Sequence, residues 1–266
     1  MNRISDVFQH QKSAFITYLV CGDPDISSTL KIMHSMVDHG VDLIELGIPF
    51  TDPIADGPTI QKGIERALKN KVSLTDVLNL VSKFRTKDKD TPIILMGYMN
   101  PIENMGYKSF AKMAKSKGVD GLLIVDLPPE ESEDINNELI KNNLNQIFLA
   151  SPTTVDKRLK TIINYSSGYL YYVSLKGITG SSIINYQPMK KQIMKIKKLS
   201  KNKIPITVGF GIKTPETAKK ISKFSDGIII GSSIVELIEK NMNNKKLMHK
   251  KINKFLKTIK SSLVKK

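Results

Sequence analysis

Gly40-Val41-Asp42-Leu43-Ile44-Glu45-Leu46-Gly47-Ile48-Pro49 reads as the end of a helix, a turn, and a short apolar strand that breaks at Gly47 and Pro49. Strand alternation puts Leu43 and Glu45 on one face and Ile44 and Leu46 on the other. Both faces are otherwise apolar, so the strand is expected to be buried on both sides. A carboxylate there loses solvation, which raises its pKa and suits it to proton transfer. The same residue in the same place also suits pairing with a buried Lys or Arg, and the stretch alone leaves both readings open. Downstream, Phe50 to Pro58 form a loop with Asp52 and Asp56. Both aspartates are good turn formers, and Asp56 is also placed to fold back over the strand end as a second acid.

The junction recurs. Gly118-Val119-Asp120 precedes the apolar run at 121–125, and Ser225-Asp226-Gly227 precedes the one at 227–230. Further strands are predicted at 14–20, 92–96, 146–150, 169–174 and 204–208. Between them lie helical patterns at 2–12, from Ser27 or Ser28 (as cap) to Gly40, and at 59–69, 74–85, 107–117, 130–142, 156–164, 193–200 and 215–222, with helices filling the remainder. The segments 51–54, 100–104 and 126–129 read as loops stiffened by proline. Eight short strands alternating with helices imply parallel βαβ units. Two-sided apolar strands in a chain of 266 residues favour an α/β protein with a closed (β/α)8, or TIM, barrel plus extra N-terminal and C-terminal helices. With no Pro/Gly/Ser-rich linker in view, residues 1–266 are expected to form a single domain. In such a barrel the reactive groups come from the C-terminal strand ends and the loops that follow, which is where Glu45 and Asp56 fall.

Composition narrows the function. Apolar residues make up 40% of the chain, enough for a core, and no apolar run reaches the roughly 20 residues of a membrane span. The start of the chain lacks the apolar segment of a signal peptide. Cys21 is the sole cysteine, which excludes an internal disulfide and fits a reducing, cytoplasmic setting. The net charge of +16 admits nucleic-acid binding. Lysine is nonetheless spread along predicted outer helix faces, with only 245–266 densely basic, and aromatic platforms are missing, so no nucleic-acid or membrane partner is expected. A basic surface also steers phosphorylated substrates.

Three glycine-rich turns sit at successive strand ends: Gly177-Ile178-Thr179-Gly180, Gly209-Phe210-Gly211 and Gly231-Ser232-Ser233. Each glycine alone is explained by a tight turn. Together they point to a phosphate cradle, because glycine lets backbone N–H groups approach an anion and a helix N-terminus adds partial positive charge. Tyr18, Met96 and Phe210 lie near strand ends and either flank a flat ring or simply pack the barrel. Tyr169 and Tyr172 read as core aromatics with locally satisfied hydroxyls. His10, His34, His39 and His249 are on or beside helices, none with carboxylates at ligand spacing, so no metal is expected.

The run Glu45-Leu46-Gly47-x-Pro49-Phe50-x-Asp52-Pro53-x-Ala55-Asp56-Gly57-Pro58-x-Ile60-Gln61 closely resembles the tryptophan synthase alpha chain family. The resemblance extends from Phe15 to about Val235 and includes Gly22-Asp23-Pro24, the stretch from Met96 to Pro101, Asp126-Leu127-Pro128 and Ser151-Pro152-Thr153. It implies cleavage of indole-3-glycerol phosphate to indole and glyceraldehyde 3-phosphate, with Glu45 as proton donor and acceptor, Asp56 at the ring nitrogen and Tyr171 beside the reacting centre. It implies phosphate binding by Gly180, Gly211, Gly231 and Ser232, and substrate contacts from Tyr18, Met96, Phe210 and Thr179. No cofactor is implied for this subunit. The implied partner is a beta chain, carrying pyridoxal phosphate, in an α2β2 tetramer. Two departures stand out. Tyr18 occupies a position more often held by phenylalanine, and Leu175 replaces the arginine usual before the Gly177 turn, so closure of the loop from Leu175 to Pro188 is expected to be weaker. Without the resemblance, a sugar-phosphate isomerase or epimerase barrel fits the residues next best.

Overall fold

The computed structural model describes residues 2–174, 186–209 and 211–263. Eight strands, β1 (Ala14–Val20), β2 (Leu43–Gly47), β3 (Ile93–Gly97), β4 (Gly121–Ile124), β5 (Asn145–Ala150), β6 (Leu170–Val173), β7 (Ile206–Gly209) and β8 (Gly227–Ile230), close into a barrel in sequence order. Every pairing is parallel, including β1 with β8. The helices are α1 (Arg3–His10), α2 (Ile26–Asp38), α3 (Pro58–Lys69), α4 (Leu74–Arg85), α5 (Met99–Met105), α6 (Tyr107–Lys117), α7 (Glu133–Lys141), α8 (Asp156–Tyr165), α9 (Gln187–Leu199), α10 (Pro215–Ile221), α11 (Ser232–Asn241) and α12 (Lys245–Ser262). The predicted barrel with additional terminal helices is therefore present.

The repeated junction has one physical role. The Asp42, Asp120 and Asp226 carboxylates accept from the amides of Phe15, Ile93 and Ile206, each at 2.8 Å. Their own amides donate back to the carbonyls of the same three residues. Each aspartate thus clamps the start of its strand to the start of the neighbouring one. Lys260, Arg85 and Lys197 respectively balance the charge. A hydrogen bond to a charged group of this kind contributes about 1.5–3 kcal/mol.

Inside the barrel, Ala14, Ile16, Leu43, Ile94, Leu123, Ile147, Tyr169, Tyr171 and Ile229 form one apolar cluster. Ile4 of α1, fully buried, joins it from below, and Arg3 ties that helix to Asp120 at 2.7 Å. Ile44, Leu46 and the outward residues of the other strands pack against the helices in a second, larger cluster. Leu43 inside and Ile44 outside is the parity expected from the sequence, and it directs Glu45 inward. Among the described residues no helix is long and apolar enough to cross a membrane.

Local expectations fail where side chains compete for a cap or a turn. Asp25, rather than Ser27 or Ser28, caps α2, accepting from Ser28 N at 2.8 Å. Residues 99–105 are helical rather than a loop: Pro101 falls in the first turn, where its missing N–H costs nothing, and Asp126 accepts from Met99 N at 2.9 Å. Residues 130–142 divide into a 3-10 turn, Pro129–Glu131, and α7, with Ser132 between them. α9 begins at Gln187, with Pro188 in its first turn, and not at Ile193.

Candidate active site

Glu45 stands above Leu43 on the inner face of β2 and is fully buried. Its register partners are Tyr18 on β1 and Ile94 on β3. Among the described residues no lysine or arginine pairs with it. Instead the Tyr169 hydroxyl donates to Glu45 Oε1 at 2.5 Å, while Oε2 has no hydrogen-bond partner among the described residues. Burial pushes the Glu45 carboxyl up to about 7, and the Tyr169 hydrogen bond opposes that rise. At neutral pH such a group both gives and takes a proton. Tyr169 is thus engaged with a residue 124 positions away, and not locally as its sequence context suggested.

Asp56 folds back over the mouth of the barrel. The Tyr98 hydroxyl donates to Asp56 Oδ2 at 2.7 Å and accepts from Ala55 N at 3.0 Å. Phe50 stacks on the Tyr98 ring, with centroids 5.2 Å apart. One residue just beyond β3 therefore fixes the whole loop that carries the second acid. Burial raises the Asp56 pKa, and the Tyr98 hydrogen bond offsets part of the rise.

The two acids line one cavity of about 280 Å³ together with Tyr18, Met96, Tyr171, Gly211, Gly231 and Ser232. Its size is near the lower end of small-molecule sites, about 300 Å³. Every predicted site residue inside the described segments falls on this cavity. Thr179, Gly180 and Phe210 lie outside the described residues, as does most of the loop from Leu175 to Pro188. Tyr171 lies against β7 at Gly209, where a Cβ would meet its hydroxyl at 2.1 Å, so only glycine admits the ring. The Tyr171 hydroxyl is raised by burial and then by Glu45 and Asp56.

Gly211, Gly231, Ser232 and Ser233 line the same cavity, at the end where α11 starts at Ser232. Unpaired N–H groups of its first turn are donors for an anion. Lys213 also lines this end and was not singled out from sequence; its position two residues after Gly211 was the available signal. Nor were Tyr98 and Tyr169 recognised as partners of the acids. A larger hollow of about 1190 Å³ lies beside α1 at the other end of the barrel. Its Arg3, Asp42 and Asp120 are committed to ion pairs, and neither Glu45 nor Asp56 borders it.

The chain also matches a protein family over nearly its whole length. The family's model, described as tryptophan synthase alpha chain, matches residues 4–264. The chain belongs to the tryptophan synthase alpha chain family. It is 49% identical over 243 residues to the tryptophan synthase alpha chain of Nitrosomonas europaea, covering 90% of this chain and 88% of that one. It is 43% identical to the alpha chain of Marinobacter nauticus, covering 99% and 98%. The crystal structure of tryptophan synthase subunit alpha from Legionella pneumophila str. Paris superposes with a TM-score of 0.91 at 40% identity, covering 99% of this chain and 98% of that chain. Members of the tryptophan synthase alpha chain family are lyases that cleave indole-3-glycerol phosphate in tryptophan biosynthesis, and they work with a beta chain.

Proposed function

We propose that this cavity performs the family's lyase reaction by acid–base retro-aldol chemistry, with Glu45 as the proton carrier. The observation that carries the assignment is a fully buried carboxyl, pushed up by burial, in a cavity also lined by Gly211, Gly231 and Ser232. The substrate phosphate sits on the N-terminus of α11, with Lys213 supplying the nearby positive charge. The indole ring lies toward Asp56, whose carboxylate takes the ring N–H. Protonated Glu45 gives its proton to the ring carbon that bears the side chain. Now a carboxylate, it takes the proton of the adjacent side-chain hydroxyl. The carbon–carbon bond breaks, its electrons return to the ring, and indole and glyceraldehyde 3-phosphate leave with Glu45 protonated again. Tyr169 holds the carboxyl through Oε1 and leaves Oε2 for the substrate. Acid–base help of this kind supplies roughly 10² to 10⁴ in rate, and anchoring by the remote phosphate supplies orientation.

The chain requires no cofactor of its own, acts in the cytoplasm, and passes indole to a pyridoxal-phosphate beta chain in an α2β2 assembly. The docking face is the cluster at 51–54, α5 and 126–128. Ile54 there is 85% exposed, and Asp126 ties the last two elements together. Segments already ordered lose little entropy on docking. Purified chain given indole-3-glycerol phosphate, alone and with a beta chain, tests the reading. Stoichiometric indole and glyceraldehyde 3-phosphate, released faster with the beta chain, is the expected result. No indole under either condition refutes it.

A further inference from the structure

Tyr18 differs from Tyr169 and Tyr98 in one respect. Tyr169 donates to Glu45 and Tyr98 donates to Asp56, but the Tyr18 hydroxyl makes no hydrogen bond to any described residue, although it borders the cavity. The side chain is 7% exposed. Its place is tightly defined. Tyr18 continues the inward row of Ala14 and Ile16 on β1 and is in register with Glu45. At the base of the ring, a Cβ on Gly231 would meet Tyr18 Cδ1 at 3.0 Å. At its tip, a Cβ on Gly47 would meet the hydroxyl at 2.3 Å. The ring therefore spans from the phosphate end of the cavity, at the start of α11, to the end of β2, two residues beyond Glu45. Burial first, then the charges of Asp56 and Glu45, keep its hydroxyl protonated and hence a donor.

A substrate with its phosphate at Gly231 and its ring at Asp56 must lay its three-carbon side chain along Tyr18. That chain carries two hydroxyls. Glu45 takes the proton of the one next to the ring. The other survives into the product and has no partner in the scheme above. Resting on that scheme, we propose that the Tyr18 hydroxyl hydrogen-bonds this second side-chain hydroxyl, making Tyr18 a positioning residue that selects glycerol phosphate side chains over deoxygenated ones. A neutral hydrogen bond made only to the ligand corresponds to roughly a 2- to 12-fold effect.

Tyr18→Phe removes the hydroxyl and keeps the ring. Two ligands read the effect: indole-3-glycerol phosphate, through kcat/KM, and indole-3-propyl phosphate, which lacks both hydroxyls, through its inhibition constant. The expected outcome is a several-fold fall in kcat/KM with the inhibition constant unchanged within about twofold and the urea midpoint not lowered, since no protein hydrogen bond is lost. Equal shifts for both ligands assign Tyr18 to ring packing, and no shift for either removes the contact; both outcomes overturn the proposal while leaving the reaction intact. Failure of the unaltered chain to release indole, with the beta chain supplied, overturns the reaction and this role with it.

Discussion

Replacing Glu45 with glutamine should remove activity and stabilise the protein, and the stabilisation should grow with pH. The side chain is fully buried, and its carboxyl is pushed from 4.5 to about 7. A group whose folded pKa is raised binds protons more tightly in the native state, so native stability falls as pH rises from the unfolded value to the folded one. The gap of about 2.5 units, at 1.36 kcal/mol each, makes ionising Glu45 cost about 3 kcal/mol above pH 8 and under about 1 kcal/mol at pH 5. Glutamine has nearly the same shape, still accepts from Tyr169, and never ionises. Urea unfolding of both proteins at pH 5 and pH 8.5 isolates the effect, because Asp23, Asp56 and the other titrating groups are common to both. The advantage of Glu45→Gln should widen by about 2–3 kcal/mol between the two conditions, alongside a loss of indole formation of roughly 10² or more. An advantage that does not change with pH refutes the assigned desolvation, and turnover in the folded variant refutes the proton-carrier role.

Other consequences follow from the same geometry. The pH profile of kcat/KM should fall above about 7 as free Glu45 loses the proton it must donate, and fall again in acid as Asp56, raised by burial, becomes neutral; a flat profile across pH 6 to 9 contradicts this. Tyr98→Phe deletes the donor to Asp56 and the acceptor for Ala55 N. It should lower kcat/KM about tenfold or more and move the acid limb upward, since the bond that opposes the raised Asp56 pKa is gone; a changed rate with an unmoved limb means that Tyr98 acts only on the fold. Gly211→Asp places a carboxylate at the anion cradle on a backbone with φ of +76°, so KM for the phosphorylated substrate should rise at least tenfold, read by steady-state kinetics.

Much of this architecture was legible because it depends on local periodicity. The aspartate junctions announced themselves three times, and the clamp they make explains why the motif recurs before strands. Glu45 was conspicuous as the charge in a strand apolar on both faces, and strand parity alone aimed it inward. Its partner was not legible. Tyr169 lies 124 positions away, and Tyr169 and Tyr171 share strand parity, so only barrel closure shows which hydroxyl reaches the carboxyl. Tyr98 was hidden for a related reason: its role depends on the loop from β2 reaching across the end of β3. The helix at 99–105 was obscured by Pro101, which breaks a helix interior but fits a first turn. Asp25 took the cap of α2 from two serines that were equally plausible by type.

A crystal of the Glu45→Gln protein soaked in indole-3-glycerol phosphate shows where the substrate lies. The phosphate should lie on the α11 N-terminus between Gly211 and Ser232, the ring nitrogen at Asp56, and the ring carbon bearing the side chain beside position 45. A phosphate bound elsewhere, or a ring turned away from position 45, would contradict the proposed reaction.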